Sequence, residues 1–130
     1  MVLLASLLLL TLIGMAAVAG LLRPNQPEAA REPAVFTGGD PQRGRETIRE
    51  KGCPSCHAIP GIREANGLVG PPLEHFANRV YVAGVLPNTP DNLVAWIRNP
   101  PAIDPLTAMP ASGIGEAEAR DVAAYLYTLD

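Results

Sequence analysis

Apolar positions along the chain fall into two regimes. Residues 2–22, VLLASLLLLTLIGMAAVAGLL, carry no charge at all. As a helix they would span ~31 Å at ~1.5 Å per residue, close to the hydrocarbon core of a bilayer. After them, apolar residues recur at helical spacing in short stretches broken by proline and glycine. The first regime predicts a membrane anchor. A cleaved secretory signal is the other reading, with Ala17-Val18-Ala19 as the small-residue cleavage site. The run exceeds the usual ~7–15-residue signal core and lacks a positive n-region, which favours the anchor. A buried soluble helix is disfavoured, because nothing else in a chain this small could cover such a segment on all sides.

Residues 23–39, RPNQPEAAREPAVFTGG, have proline at 24, 27 and 33 and end in two glycines. This composition predicts a partly extended linker reaching up to ~50 Å at ~3.1 Å per residue. The remaining residues, 40–130, form the candidate globular domain. Asp40-Pro41 reads as a helix start, an N-cap followed by proline at the first helical position. That helix is expected to reach about Lys51 and to leave through Gly52, with Gly44 and Ile48 on one face. The glycines and prolines of residues 58–72 predict a loop. Leu73, Phe76 and Val80 mark a short helical stripe. Thr89-Pro90 repeats the cap-then-proline start, placing Leu93, Trp96 and Ile97 on one side. Pro100, Pro101, Pro105 and Pro110 argue against regular structure beyond it. A last helix is expected from near Gly115 and Glu116 to the end, with Val122, Tyr125, Leu126 and Leu129 inward. No strand-like alternation of useful length and no internal repeat is present. Three or four short helices with long loops make a thin core for ~90 residues, so another apolar body is expected to fill it.

Charge changes the picture little. All 10 basic and 13 acidic residues follow the apolar run, and the net charge is −3. A mildly acidic domain offers no general nucleic-acid surface. Arg23 and Arg31 follow the run and only the α-amine precedes it, which by itself weakly favours a cytoplasmic C-terminal part.

The candidate chemistry lies in EKGCPSCHAIP, residues 50–60, which holds both cysteines and one of the two histidines. A thioredoxin-like redox pair needs a βαβ setting that is missing. A zinc site needs a second ligand pair, and only His75 remains. A disulfide between residues three apart closes a very small loop and gains little. Covalent attachment of a c-type heme, for which C-x-x-C-H is the signature, uses Cys53, Cys56 and His57 together. Each thiol would add to one vinyl group, and His57 would be the proximal iron ligand. Opposite it, a methionine thioether gives a six-coordinate electron-transfer site, whereas an empty position suggests ligand binding or catalysis. Met109, in IDPLTAMPA, is the methionine of the globular part and the favoured ligand; His75 is its rival. Core filling is the ordinary role of an isolated methionine, but here it is a weak explanation between prolines 105 and 110.

On these residues the chain resembles class I cytochromes c over about residues 40–130. GDPQRGRETIREKGCPSCH resembles the first helix running into the heme site, apart from one extra residue before Cys53. GPPL, residues 70–73, resembles the loop whose proline carbonyl accepts the proximal histidine's ring N–H, a role that falls to Pro71. NPPAIDPLTAM, residues 99–109, resembles the proline-rich approach to the axial methionine. RDVAAYL, residues 120–126, resembles the terminal helix that crosses the first, with Tyr125 near Gly44.

LEHFANRVYVAGVLPNTPDNLVAWIRNP is similar to the cytochrome domain fused to subunit II of some bacterial heme–copper oxidases. That likeness implies that Arg79 and Trp96 lie near the heme and contact its propionates. This chain has no copper-binding domain between anchor and cytochrome, so it is not a whole subunit II.

The resemblance implies an all-α class I cytochrome c fold around one covalently attached heme c, preceded by a single transmembrane helix. It implies no catalytic residue: the expected function is a membrane-anchored electron carrier, not itself an enzyme, though possible as a subunit of an oxidoreductase complex. The expected partners are the lipid bilayer, redox donor and acceptor proteins, and a respiratory or photosynthetic membrane complex, with an oxidase favoured. Heme attachment in bacteria occurs outside the cytoplasmic membrane, which sets the domain on the periplasmic or outer face against the arginine signal. The competing classes are a heme enzyme or gas sensor with a weakly ligated iron, and a structural heme subunit.

Overall fold

The computed structural model of the chain describes residues 28–130, with side chains from Glu32 onward. The apolar run 2–22 and the anchor expected there lie outside the described residues. Among the described residues, no helix is long and apolar enough to cross a membrane.

Among the described residues five α-helices succeed one another: α1 (Glu28–Thr37), α2 (Pro41–Glu50), α3 (Pro90–Arg98), the single turn α4 (Pro100–Ile103) and α5 (Glu116–Leu126). Two 3-10 turns, Cys53–Ser55 and Phe76–Asn78, sit in the long loop region between α2 and α3. A minimal antiparallel pair, β1 (Tyr81–Val82) and β2 (Leu86–Pro87), joins Val82 to Leu86 and Tyr81 to Pro87. The domain is therefore mostly helical, as the patterning predicts.

The two predicted cap-then-proline starts form as such. The Asp40 carboxylate accepts from the backbone N–H of Gln42 and Arg43, and the Thr89 hydroxyl accepts from Asn92 N–H. Each satisfies donors that the first helical turn leaves unpaired. α2 ends where Gly52 turns left-handed at φ +76°, a conformation without Cβ penalty only for glycine. At the start of α5 the Glu118 carboxylate accepts from Gly115 N–H at 3.0 Å. That bond is the main cause holding its pKa below the ordinary carboxylate value.

α2 and α5 cross with their backbones in contact. A Cβ added at Gly44 would lie 1.9 Å from the carbonyl oxygen of Asp121. Gly44 thus faces the Asp121–Val122 backbone. Tyr125, expected beside it, lies further along α5 and donates its hydroxyl to Pro60 O at 2.7 Å. The crossing is closed by Arg43, whose Nε and Nη2 donate to the Asp121 carboxylate at 2.9 and 3.0 Å. Beneath it lies a core of Ile48, Leu93, Val94, Trp96, Ile97, Val122 and Leu126 from the helices, with Ile59 and Phe76 from the loop region and Val82 from β1.

Several local expectations are corrected. The linker expected through residue 39 contains α1, which packs against α5 in spite of Pro33 inside it. Val80 is 72% exposed, so the stripe Leu73–Phe76–Val80 does not form; only Phe76 is fully buried, on a 3-10 turn entered through left-handed His75. The prolines after α3 permit one helical turn, because Pro100 and Pro101 occupy first-turn positions where no N–H is needed. α5 stops at Leu126, and Leu129 lies beyond it, half-buried, with its carbonyl accepting from Ala77 N–H.

Candidate heme site

Cys53 opens the 3-10 turn that follows α2, and its carbonyl accepts from both Cys56 N–H at 3.1 Å and His57 N–H at 3.0 Å. One carbonyl thus organises the whole C-x-x-C-H segment. Both thiols are free and half-buried. Cys53 packs at the margin of the core, and burial pushes its thiol above the ordinary pKa.

The next strand of chain closes over this turn from 66 to 73. Gly70 N–H donates to Cys56 O at 2.7 Å, and Leu73 N–H donates to Ala58 O at 2.8 Å. The approach is so close that two glycines are required. A Cβ at Gly67 would lie 2.5 Å from the Cys56 carbonyl carbon, and one at Gly70 would lie 2.4 Å from His57 Cε1. His57 Nδ1 stands 2.7 Å from Pro71 O. A carbonyl can only accept, so Nδ1 carries the proton and Nε2 keeps the lone pair that a metal would use. The predicted Pro71 contact is present.

Arg79 Nη2 donates to two carbonyls of the same loop, Pro72 O and, at 3.1 Å, Glu74 O. Its guanidinium also lies 5.3 Å from the centre of the Phe76 ring. The described contacts of Arg79 therefore tie down the loop that carries Pro71. Asn88 extends the tie: its Nδ2 donates to Phe76 O and Arg79 O at 3.1 and 2.9 Å, and its Oδ1 accepts from the Tyr127 hydroxyl at 2.8 Å. Burial pushes the Tyr127 phenol up to about 12.

Met109 is half-buried and packs against the core cluster. Its loop is shaped by short polar side chains: Asp104 Oδ1 accepts from Leu106 N–H at 3.0 Å and Thr107 Oγ1 from Met109 N–H at 3.2 Å. Trp96 is 8% exposed within that cluster. His75, the rival ligand, is an exposed residue at left-handed φ +53°.

The structure thus joins Cys53, Cys56, His57, Pro71 and Arg79 through one hydrogen-bonded loop pair, and sets Trp96 and Met109 on the shared core. Gly67, Gly70, Asn88, Thr107 and Tyr127 were not singled out from sequence. The isolated glycines at 67 and 70, in the loop leading into and opening GPPL, were the available signal for the first two. Asn88 and Tyr127 carried none, since their roles depend on contacts between distant segments.

These residues fit a heme of the c type. Two free thiols lie in one turn beside an imidazole with an available Nε2, and Gly70 lets the loop pack directly against its ring. Large apolar side chains also stand exposed on three loops: Leu68 and Val69, then Val80, Tyr81 and Val85, then Leu106. Among the described residues no cluster of His, Cys, Asp and Glu suits another metal centre.

Comparison with known proteins agrees. The chain is similar to cytochrome c oxidase subunit 2 of Alkalihalophilus pseudofirmus, 36% identical over 88 residues, covering 67% of this chain and 25% of the relative. It is similar also to cytochrome c oxidase subunit 2 of Bacillus subtilis, 38% identical over 66 residues, covering 49% of this chain and 18% of that relative. This chain therefore spans about a quarter or less of the relatives' length. α1 precedes the matched family region, which is cytochrome c over residues 41–130. With that match covering most of the chain, and the C-x-x-C-H turn folded against its histidine-orienting carbonyl, the chain belongs to the cytochrome c family, whose cofactor is heme c.

Proposed function

We propose that this protein is a membrane-anchored, monoheme c-type cytochrome that passes single electrons to or within a bacterial respiratory complex, an oxidase in particular. The observation that carries the reading is the His57–Pro71 contact, which orients the imidazole and leaves Nε2 to bind iron. Similarity to oxidase subunits supports the choice of partner. The uncharged run 2–22 supports the anchor, with the heme domain on the periplasmic or outer face.

When bound, heme supplies one-electron chemistry, its iron alternating between ferric and ferrous. Everything else falls to the chain's residues. Cys53 and Cys56 would each add sulfur and hydrogen across one vinyl group, forming two thioethers without net oxidation. His57 would hold the iron from one side, and its Nδ1–H bond to Pro71 would fix the ring plane and raise its strength as a ligand. The Met109 thioether would be a second ligand to the iron, its loop held by Thr107 and Asp104. Arg79 would steady the Pro71 loop, and Trp96 would close the core against water. No bond of a substrate is made or broken.

The test is the absorption spectrum of the holoprotein and of Met109→Ala. The expected result is a low-spin spectrum with the long-wavelength band of iron–thioether ligation, lost in the variant. If the band persists in Met109→Ala, Met109 is not the ligand. A high-spin spectrum in the unmodified protein would instead favour an enzyme or gas sensor. Re-reduction of the heme in isolated membranes must keep pace with turnover; a slower heme would indicate a structural role.

A further inference from the structure

The segment between the apolar run and the cytochrome fold is the least expected part of the molecule. Seventeen residues, 23–39, read as a free tether. Yet α1 occupies Glu28–Thr37 and is built into the domain. Thr37 is 2% exposed; its hydroxyl donates to Pro33 O at 2.7 Å and accepts from Gly39 N–H at 3.1 Å. Its carbonyl accepts from Arg120 Nη1 of α5 at 3.1 Å. The Phe36 ring meets Tyr127 edge-on at 5.1 Å, and Tyr127 in turn meets Phe76 at 6.0 Å. At Gly39 the backbones approach so closely that a Cβ would lie 2.1 Å from Arg120 O. The next residue, Asp40, donates its N–H to the Asp121 carboxylate. Thr37, Gly39 and Asp40 thus each contact α5, and Phe36 contacts Tyr127 just after it.

We propose that α1 is a splint that removes the tether's slack and makes the heme domain a fixed subunit rather than a carrier that swings between partners. Only residues 23–27 remain between the apolar run and α1. At the same ~3.1 Å per residue, five residues allow about 16 Å where seventeen would allow about 50 Å. The electron acceptor is then a centre of the same membrane assembly, held within that shorter radius. This inference rests on the reading of residues 2–22 as an anchor.

The test uses the full-length holoprotein in proteoliposomes containing a headgroup-labelled fluorescent lipid, whose emission the heme quenches at short range. Three forms are compared: the natural chain, Phe36→Ser to loosen α1, and a chain with twelve Gly/Ser residues inserted between 27 and 28. The proposal expects strong quenching in the natural chain, at least twofold weaker quenching in the insertion form, and an intermediate value for Phe36→Ser. Equal quenching in the natural and insertion forms overturns it, because the tether would already be slack. Amide hydrogen exchange of the detergent-solubilised protein gives an independent reading. Thr37, Gly38 and Gly39 should be protected in the natural chain and exchange at least tenfold faster in Phe36→Ser. Unprotected amides in the natural chain overturn the splint whatever the liposomes show. Salt-washed membranes that release the protein mark a different failure, that of the anchor.

Discussion

Gly70→Ala tests the heme-site geometry most directly. Gly70 has no left-handed φ, so alanine is not excluded by backbone strain. It is excluded by contact: the new methyl would lie 2.4 Å from His57 Cε1 and 2.7 Å from Nδ1. Unstrained carbon contacts lie at about 3.5–4.0 Å, so ring and loop must separate by about 1 Å. The His57 Nδ1 to Pro71 O bond measures 2.7 Å, and a bond of this kind tolerates only about 0.5 Å of lengthening. It is therefore lost or badly bent. Losing it costs about 0.5–1.5 kcal/mol, and overpacking adds about 1–3 kcal/mol. The sum, roughly 1.5–4.5 kcal/mol, is a large share of a small domain's stability without abolishing folding. Chemical denaturation of the holoprotein should show that loss, and the reduction potential should shift, because the His57 imidazole loses its partner. Gly52→Ala is the control: its Cβ meets nothing within 4 Å, and its positive φ alone should cost about 1 kcal/mol. A Gly70→Ala protein within 0.5 kcal/mol of the natural one and with the same potential would refute the argument.

Gly44→Ala should force α2 and α5 apart, since the methyl would lie 1.9 Å from Asp121 O; a loss of about 3 kcal/mol or more is expected in urea denaturation. Arg79→Gln removes the tie to Pro72 and Glu74 carbonyls; faster hydrogen exchange at Leu73 N–H and a shifted potential should follow. Tyr127 is an acid that burial pushes up to about 12, above the ordinary phenol value of about 10. Folding then favours the protonated phenol, a contribution complete below pH 10 and lost as pH rises through about 12. Tyr127→Phe should flatten the fall in stability across that window, as read by denaturation at stepped pH, leaving the smaller slope of Tyr125, also raised by burial.

Much of the fold was legible locally. Asp40-Pro41 and Thr89-Pro90 start helices because a short polar side chain and a preset φ satisfy the first turn whatever lies around it. Gly52 ends α2 for an equally local reason. Local rules failed wherever distant chain decided the outcome. Pro33 and the surrounding linker composition argue against α1, yet packing on α5 outweighs the hydrogen bond that proline removes. Val80 has the right spacing for a buried stripe, but the chain turns left-handed at His75 and then enters a hairpin, leaving it outside.

The site divides the same way. The sequence by itself determined the C-x-x-C-H motif, because Cys53, Cys56 and His57 lie within five residues and one carbonyl, that of Cys53, gathers the turn. It also determined Pro71 and Met109 as candidates through their resemblance to known heme-binding segments. Only the tertiary structure decided which groups support them. Gly70 matters because His57 lies against it, Arg79 because the Pro72 and Glu74 carbonyls converge on it, and Asn88 because Tyr127 reaches it from the far end of the chain. Spacing along a chain records what neighbours can do together; contacts between segments remote in sequence exist only once the core has brought them within hydrogen-bond or van der Waals range.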